Sequence, residues 1–268
     1  MSTQVLHISS RDNPALVRLR KLTADAGAYR KTGSVWIEGD HLLRAALQRG
    51  WTPALVVLTD AALQDGALAR LAEAAPRALV VPTALFKGLS GLESPAQIGA
   101  ELTLPPAPAI DPQAASVVLD RLQDAGNVGA ILRSAAAFGV RQVLALKGTA
   151  ALWSPKVMRS GQGAHFGLRL CEGLSADDLA GLAVPLIATS PHTEHRLDRV
   201  RLPDPCAWVM GHEGQGVSPA LMARCALTVG IPQPGGEESL NVAAAAAICL
   251  YESERQRQRG GEGSTPRR

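Results

Sequence analysis

Residues 232–252, PQPGGEESLNVAAAAAICLYE, join a loop rich in proline, glycine and acids directly to five consecutive alanines. The prolines and glycines exclude regular structure in the loop, whereas the alanines predict a helix. Ser239 is expected to cap that helix, and Glu237 and Glu238 precede it, where a helix favours negative charge. Alanine side chains let a helix lie very close to neighbouring backbone. The stretch therefore predicts a tightly folded chain crossing that encloses a ligand.

Length and composition bound the class of protein. The chain has 268 residues, enough for one large domain or two smaller ones, and its 46% hydrophobic and 19% charged residues are typical of a soluble globular protein. No apolar run reaches the roughly 18 residues that a membrane helix needs, and the N-terminus lacks the apolar core of a signal peptide. We therefore expect a cytoplasmic protein. The cysteines form no CxxC pair and are expected to be packing residues, without a zinc site: Cys171, Cys206, Cys225 and Cys249.

Positive charge is concentrated at the two ends of the chain. Residues 1–31 hold six basic side chains against two acidic ones, and five arginines follow Glu254. Basic segments of this kind suit a phosphate backbone, although a solvated helix face and a frayed tail explain them equally well. Aromatic residues make up only 3% of the chain, which disfavours recognition by rows of stacked bases. Charge therefore permits a nucleic-acid partner without establishing one.

A proline-rich segment divides the chain. Residues 102–113, LTLPPAPAIDPQ, contain four prolines, which is enough to prevent a helix or an inner strand. Before this segment, helix-like and strand-like stretches alternate and predict a small α/β domain over residues 1–103. We expect a linker at residues 104–114, a larger α/β domain over residues 115–257, and a basic flexible tail at residues 258–268.

In the larger domain, strand-like stretches such as SVVLD and AWVMG alternate with helical ones such as GAILRSAAAFG, SADDLAGL and SPALMARC. Strands that alternate with helices predict a parallel sheet covered on both faces. Ligands of such sheets bind at the carboxyl ends of the strands, where loops lead into helices. The polar, glycine-bearing loops of this chain all fall at such positions.

The first of these loops opens the helix within residues 124–140, DAGNVGAILRSAAAFGV. Asn127 is expected to cap this helix, and Gly129 leaves room for a close approach to the backbone. Arg133 follows among apolar residues, where a guanidinium usually has a fixed anionic partner. That partner is either a ligand or a carboxylate in a structural salt bridge.

The second loop follows the strand that ends at Met210 and reads GHEGQGVSP. Ser218 is expected to cap the next helix, with proline at its first position. His212 is either a base or, as is more common for a lone loop histidine, a hydrogen-bonding surface residue. The spacing is not GxGxxG and no GxxxxGK[ST] phosphate loop is present, which disfavours the common nucleotide-binding folds. Three glycines predict a tight loop around Glu213: Gly211, Gly214 and Gly216.

Together, the loops resemble, in order, the three motifs of the SpoU (TrmH-type) RNA methyltransferases, which belong to the SPOUT class. The motifs are Asn127-x-Gly129-x-x-x-Arg133, then Gly211-x-Glu213-x-x-Gly216, then Ile231-Pro232 followed by Glu238-Ser239-Leu240-Asn241-Val242. The resemblance covers residues 116–257, and three motifs in order are a specific signal. Residues 1–100 look like the substrate-binding domain, related to ribosomal protein L30e, that many members carry.

The resemblance implies a parallel α/β domain with a deep trefoil knot, a topology that periodicity does not predict. It implies that S-adenosylmethionine binds in the knot and that the protein is a homodimer through the methyltransferase domain, with the sites near the interface. The implied reaction is methylation of a ribose 2′-hydroxyl in RNA, and it requires no metal. The implied cofactor-binding residues are Gly211, Gly216, Ile231, Pro232, Ser239 and Leu240.

The implied catalytic residues are Arg133, Asn127, Glu213, Ser239 and Asn241. The family assigns proton removal to Arg133, but a free guanidinium is protonated at ordinary pH, so a general base and a group that positions ribose and phosphate both remain open. Asn127 and Asn241 are expected to orient Arg133 and the substrate. Glu213 is expected to fix its loop by accepting hydrogen bonds, and Ser239 to support the site.

The chain departs from the family pattern at two positions, where Gln233 and Ala243 replace a common methionine and serine. Ribosomal RNA, specifically 23S, is favoured over transfer RNA because the separate N-terminal domain resembles modules that recognise folded RNA. A non-catalytic RNA-binding protein of the same fold is the alternative from another class, and it would have lost Arg133 or the asparagine. A methyltransferase acting on a base would lack the first motif, and an oxidoreductase would need a dinucleotide fingerprint.

Overall fold

The computed structural model describes residues 3–235 and 240–262, with side chains as far as residue 259. The chain folds into two compact units. The first runs to Pro106 and also includes Trp153–Phe166, whereas the second comprises Ala107–Leu152 and the chain from Gly167 onward. The predicted boundaries did not anticipate that Trp153–Phe166 belongs to the first unit.

The first unit contains a mixed five-stranded sheet in the order β1-β4-β3-β5-β2. Its strands are β1 (Gln4–His7), β2 (Ser34–Glu38), β3 (Pro53–Thr59), β4 (Arg77–Val81) and β5 (Ile98–Thr103). Its helices are α1 (Pro14–Ala24), α2 (Tyr29–Thr32), α3 (Asp40–Gln48), α4 (Asp60–Gln64), α5 (Gly66–Ala72), α6 (Thr83–Lys87) and α8 (Pro155–Gly161). The sequence pattern missed β1, which is short and largely exposed, and β5, which pairs antiparallel with both neighbours.

The segment Trp153–Phe166 packs within the first unit through aromatic contacts. The ring of Trp51 lies 5.7 Å from that of Trp153 and 5.5 Å from that of Phe166, between centroids. The indole N–H of Trp51 also donates to the carbonyl oxygen of Phe166 at 3.2 Å. Because these partners lie about a hundred residues apart in sequence, no local pattern predicts this packing.

The second unit confirms the predicted parallel sheet. Its six strands are all parallel, in the order β11-β9-β10-β6-β7-β8. They are β6 (Ser116–Asp120), β7 (Gln142–Leu146), β8 (Arg169–Leu174), β9 (Leu186–Thr189), β10 (Ala207–Gly211) and β11 (Leu227–Val229). The helices of this unit are α7 (Ala125–Ala137), α9 (Pro219–Met222) and α10 (Val242–Glu262). β6, β7 and most of β9 and β10 are fully buried, as expected of inner parallel strands.

The proline-rich segment has no helix or strand, as predicted, but part of it is fixed to the second unit. The side chain of Gln142 accepts from the N–H of Asp111 at 2.8 Å and donates to its carbonyl at 3.0 Å. The N–H of Ala183 donates to the carbonyl of Pro112 at 2.9 Å. Residues 107–113 are therefore held by hydrogen bonds and do not form a free linker.

Two predicted elements are wrong in extent. The helix expected at SADDLAGL is only a 3-10 turn, Asp177–Gly181. Residues 258–262, which were expected to belong to a flexible tail, continue the helix α10 as far as Glu262, and the rest of the expected tail lies outside the described residues. Side-chain pairs one turn apart stabilise this extension: Arg255 binds Glu252 through two bonds of 2.7 and 2.5 Å, and Gln258 donates to Glu254 at 2.9 Å.

Candidate active site

The carboxyl ends of β6 and β10 lie side by side, with Asp120 opposite Gly211 in the strand register. From β6 the chain continues to β7 on one side, and on the other side the sheet is completed by β10, β9 and β11. A reversal of strand order leaves a crevice outside the carboxyl ends, and open α/β sheets bind their ligands there. The loops that follow β6 and β10 meet at this crevice.

Asp120 anchors the two loops to each other. Its side chain is only 2% exposed and accepts a hydrogen bond of 2.6 Å from the N–H of Ser218, in the loop after β10. The other carboxylate oxygen accepts from Nε of Arg121 at 3.0 Å, and Arg121 reaches Gln215 at 3.1 Å. Sequence reasoning missed Asp120, although an acid that ends a buried strand was a signal. Ser218 stands at the N-cap of α9, as predicted, but its side chain makes no capping bond.

The helix α7 begins earlier than predicted. Its N-cap is Asp124, whose carboxylate accepts from the N–H of Asn127 at 2.7 Å. The prediction that Asn127 caps the helix was therefore wrong, because the carboxylate three residues earlier takes the capping position. This frees the amide of Asn127 for contacts with other loops.

The loop after β10 is closed by backbone. His212 and Gly216 form an antiparallel bridge with N–H to carbonyl distances of 3.0 and 2.8 Å. A Cβ on Gly211 would lie 2.2 Å from backbone atoms of Gly216 and Val217, so only glycine fits there. Nδ1 of His212 accepts from the N–H of Gly214 at 3.0 Å and from the N–H of Gln215 at 3.3 Å, so this histidine shapes the turn.

Glu213 joins the two loops at the tip of this turn. Its carboxylate accepts from the N–H of Gln123 at 3.3 Å, the N–H of Asp124 at 3.1 Å and the amide of Asn127 at 3.3 Å. Burial alone would raise the pKa of Glu213, but hydrogen bonds from its own N–H and from these donors outweigh burial and lower the pKa. Glu213 is therefore a stable anion with its acceptor positions largely occupied.

The third motif joins the same network. The amide of Asn241 donates to Oδ1 of Asn127 at 3.0 Å, while its own Oδ1 accepts from the N–H groups of Ala243 and Ala244 at 2.9 and 3.2 Å. Asn241 thus caps α10, the role predicted for Ser239. Ser239, with Glu237 and Glu238, lies outside the described residues. Asn127, Glu213 and Asn241 form one hydrogen-bonded chain, which we call the motif network.

Arg133 lies apart from the motif network. Its side chain is exposed on α7, and the described part of the chain offers it no hydrogen bond or ion pair. Of the two partners that the sequence allowed, the described chain supplies no carboxylate for a salt bridge, and the apolar neighbours Ile131, Leu132 and Ala135 occupy the buried face of the helix in place of Arg133. The structure brings Asn127, Glu213 and Asn241 together and leaves Arg133 facing solvent.

A cavity of about 110 Å³ lies at the ends of β9 and β11. Of the predicted cofactor-binding residues, Ile231 and Leu240 line it, whereas Gly211, Gly216 and Pro232 are not among its walls. Sequence reasoning missed the other walls, although a polar pair that ends a strand before a proline was a signal. These walls are Thr189, Ser190, Pro191, Gln233 and Ala245.

The cysteines contribute no nucleophile to this site. Cys171, Cys206 and Cys249 are buried and all four thiols are free. Burial raises the pKa of Cys206 and of Cys225 to about 11. Thiols that remain protonated at neutral pH are poor nucleophiles and metal ligands, which fits packing residues.

The described residues contain neither a metal-ligand cluster nor a membrane-spanning helix. Within residues 3–235 and 240–262, no group of three or more His, Cys, Asp or Glu side chains is arranged to hold a metal ion. Over the same ranges, no helix combines the length and the apolar character needed to cross a membrane.

A parallel sheet with three polar loops joined at its carboxyl edge is the arrangement with which open α/β domains bind ligands. Residues 114–251 match the model of the SpoU rRNA Methylase family. The chain belongs to this family.

Relatives match over most of the chain. An uncharacterized tRNA/rRNA methyltransferase of Synechocystis sp. is 32% identical over 96% of this chain and 96% of its own length. The 23S rRNA (guanosine(2553)-2′-O)-methyltransferase RlmP of Bacillus subtilis is 30% identical over 82% of this chain and 88% of its own. The SpoU methyltransferase AviRb of Streptomyces viridochromogenes, solved with AdoMet, superposes with a TM-score of 0.82 at 25% identity, over 92% of this chain and 98% of that one.

Proposed function

We propose that this protein transfers a methyl group from S-adenosylmethionine to a ribose 2′-hydroxyl of RNA, and that its substrate is 23S ribosomal RNA. The observation that carries the proposal is the motif network, in which one side chain from each family motif meets at the carboxyl edge of the sheet. Relatives named as 23S rRNA 2′-O-methyltransferases favour ribosomal over transfer RNA.

The residues at the crevice fit the cofactor. Gly211 leaves no room for a Cβ where the loop closes. The cavity at the ends of β9 and β11 combines apolar walls with a buried side-chain amide oxygen of Gln233 that has no partner among the described residues. Bound S-adenosylmethionine supplies an electrophilic methyl group on a positively charged sulfur. The residues that would hold it are Gly211, Gly216, Ile231, Pro232 and Leu240, with Ser239 proposed from the motif alone.

Each polar residue then has a distinct role. Glu213 is a weak base because its pKa is lowered and its oxygens are occupied, so it fixes the loops and does not take the 2′-hydroxyl proton. Asn127 and Asn241 are held rigidly and orient the substrate. Arg133 is an exposed cation without a partner in the described chain, and it binds the RNA phosphate and positions the ribose for attack.

The chain path between β11 and α10 supports the trefoil knot. The backbone of Gly230 bonds to His195 and Leu197 at 2.8 and 2.9 Å, and Gln256 of α10 binds Leu202 at 2.9 Å. One loop, between β9 and β10, therefore contacts the chain both before and after the third motif. We expect the chain to pass through that loop, and an experimental trace that includes residues 236–239 tests it.

An exposed apolar stripe on α10 supports a homodimer. Ile248 is 39% and Tyr251 is 56% exposed, and with Ala244 they follow the i, i+4, i+7 spacing of one helix face. Tyr251 also stacks edge-on against Phe138 of α7, with centroids 6.0 Å apart. A second copy of the chain is the proposed occupant. Analytical ultracentrifugation should show a dimer for the wild type and a monomer for Tyr251→Asp.

The first unit is the proposed RNA-binding, L30e-like domain. Its deletion is an unsuitable test, because Trp153 and Phe166 pack on Trp51 and would lose their partners. Charge reversal at exposed Lys21 and Lys31 tests the same idea in the folded protein. RNA affinity should fall and lose part of its salt dependence. Unchanged affinity would count against the assignment.

The deciding experiment measures transfer of labelled methyl groups to unmodified 23S ribosomal RNA and to unmodified transfer RNA, with Arg133→Ala in parallel. We expect label at a ribose 2′-oxygen of the ribosomal RNA, and its loss in the variant. Label in transfer RNA alone would contradict the substrate. Cofactor binding without transfer to either RNA, free or within ribosomal particles, would contradict the activity.

A further inference from the structure

Gln233 places an unsatisfied acceptor in the cavity at the ends of β9 and β11. Its Oε1 is buried and has no hydrogen-bond partner among the described residues. A buried carbonyl oxygen without a partner is costly, and native proteins rarely keep one without a reason. Since Gln233 is a wall of the cavity, a donor on a bound ligand satisfies this oxygen.

The chemistry of the cavity selects which part of the cofactor binds there. The volume of about 110 Å³ is small compared with the roughly 300–1,000 Å³ of pockets that enclose whole ligands, so only a part of the cofactor enters. Among the described residues, its walls carry no charged side chain, and Ile231, Leu240 and Ala245 are apolar. A flat, neutral base fits these walls, whereas the charged amino-acid end of the cofactor would require ionic partners.

We propose that Gln233 recognises the 6-amino group of the adenine of S-adenosylmethionine and selects an amino-bearing purine. A glutamine amide matches one edge of adenine, because its oxygen accepts from the 6-amino group while its nitrogen donates to a ring nitrogen. A methionine at this position would offer only a weakly accepting sulfur in place of the amide oxygen. The inference rests on the cofactor assignment above.

The experiment compares two ligands by calorimetry, S-adenosylhomocysteine and its analogue with hydrogen in place of the 6-amino group. The full-length wild type should bind the amino-bearing ligand about three- to tenfold more tightly, the worth of one hydrogen bond. Gln233→Met should bind the two ligands equally. Gln113→Met is the matched control, since Gln113 is exposed and not a wall of the cavity, and it should keep the preference.

Three results would overturn the proposal. The first is equal binding of both ligands by the wild type, and the second is a full preference in Gln233→Met with a melting temperature that matches the wild type. The third is failure of S-adenosylhomocysteine itself to bind the wild type, which would remove the cofactor assignment as well and so separates the two claims.

A second, independent feature is a groove of about 550 Å³ in the second unit, between the loop before β10 and the last turns of α10. Four arginines line it: Arg201, Arg255, Arg257 and Arg259. The walls are fixed, because the side chain of Gln256 accepts from the N–H of Leu202 at 2.9 Å and donates to the carbonyl of Val200 at 3.0 Å. The indole N–H of Trp208 also donates a hydrogen bond to the hydroxyl oxygen of Ser253 at 2.9 Å.

The arginines of this groove divide into two kinds. Arg255 and Arg257 are bound to Glu252 and Glu254 of the same helix. Arg201 and Arg259 are exposed and have no hydrogen bond or ion pair within the described ranges. Asp204 is the acidic residue of the lining, so the groove keeps an excess of positive charge. Exposed guanidinium groups on a fixed frame suit phosphate oxygens.

We infer that this groove binds the phosphodiester backbone of the RNA substrate, away from the reacting nucleotide. It lies beside the amino end of β10, whereas the motif network lies at the carboxyl end, so it adds affinity without touching the cofactor. The inference rests on the proposed RNA substrate. Because phosphate contacts carry no sequence information, the groove contributes binding strength and its salt dependence.

The test measures binding of an unmodified 23S ribosomal RNA transcript over a range of salt concentrations. The double variant Arg201→Ala/Arg259→Ala should bind more weakly and lower the salt slope by about two, one for each lost phosphate contact, with unchanged cofactor affinity. The matched control Arg141→Ala/Arg199→Ala removes the same charge from exposed positions of the second unit that do not line the groove. Equal slopes for the two double variants would overturn the inference. If the wild type itself does not bind the transcript, the RNA substrate fails with it.

Discussion

Replacing Asp120 tests whether this buried carboxylate holds the two motif loops together. Asp120 is 2% exposed and accepts from the N–H of Ser218 at 2.6 Å and from Arg121 at 3.0 Å. Hydrogen bonds to a charged group contribute about 1.5–3 kcal/mol each, and breaking a buried charge pair costs about 3–5 kcal/mol. We therefore expect Asp120→Ala to lower the unfolding free energy of the second unit by about 3–5 kcal/mol.

Asp120→Asn should cost about half as much, because its amide oxygen still accepts from Ser218 while the charge is lost. Amide hydrogen exchange of β6 and β10 is the suitable assay, since it reports the opening of the second unit by itself. Asp177→Ala is the control, an exposed acid of the same unit that should change stability by less than about 0.5 kcal/mol. A loss below about 1 kcal/mol for Asp120→Ala would refute the anchoring role.

The remaining predictions concern the motif residues. Because the pKa of Glu213 is lowered from 4.5, its charge stabilises the fold above that pH and the contribution is lost as pH falls through the lowered pKa. The stability difference between the wild type and Glu213→Gln, measured by urea unfolding, should thus be constant from about pH 7 to 5 and shrink below; a constant difference at all pH values would contradict this. Arg133→Ala should reduce methyl transfer about 100-fold or more without weakening cofactor binding, and Arg133→Lys should recover part of the rate; full activity of the alanine variant would exclude the role. Gly211→Ala places a Cβ 2.2 Å from loop backbone and should weaken cofactor binding in calorimetry at least about tenfold, whereas Gly214→Ala, with its nearest side-chain atom at 3.9 Å, should not; equal affinities would contradict the close fit.

The sequence predicted the second unit well because its signal is local. Inner parallel strands such as β6 and β7 are buried on both faces, so each appears as a continuous apolar run. The glycines and polar residues that follow such runs mark the carboxyl edge of the sheet. The meeting of Asn127, Glu213 and Asn241 followed from that placement, although the individual bonds did not.

The first unit and the helix caps were predicted less well, for physical reasons. The packing of Trp153–Phe166 on Trp51 depends on contacts between residues about a hundred positions apart. The caps of α7 and α10 were both assigned to the wrong residue, and in each case two residues that can cap a helix lie within three positions of each other. Asp124 takes the first cap while Asn127 bonds to Glu213, so contacts between loops decided which residue caps.

Arg133 shows why an apolar neighbourhood in sequence is not burial. Six residues along a helix correspond to about 9 Å of rise and to about 120° of net rotation, so Arg133 points away from both the buried face and Asn127. A guanidinium already paired with a carboxylate would have to be released before it could bind RNA. In the described chain exposed Arg133 has no such partner, so under the proposed function the phosphate of the substrate would meet a cation that is free to bind. Within the described chain, the exposure of Arg133 therefore leaves out the structural salt bridge, one of the two partners that its sequence position allowed, and leaves a bound ligand as the other.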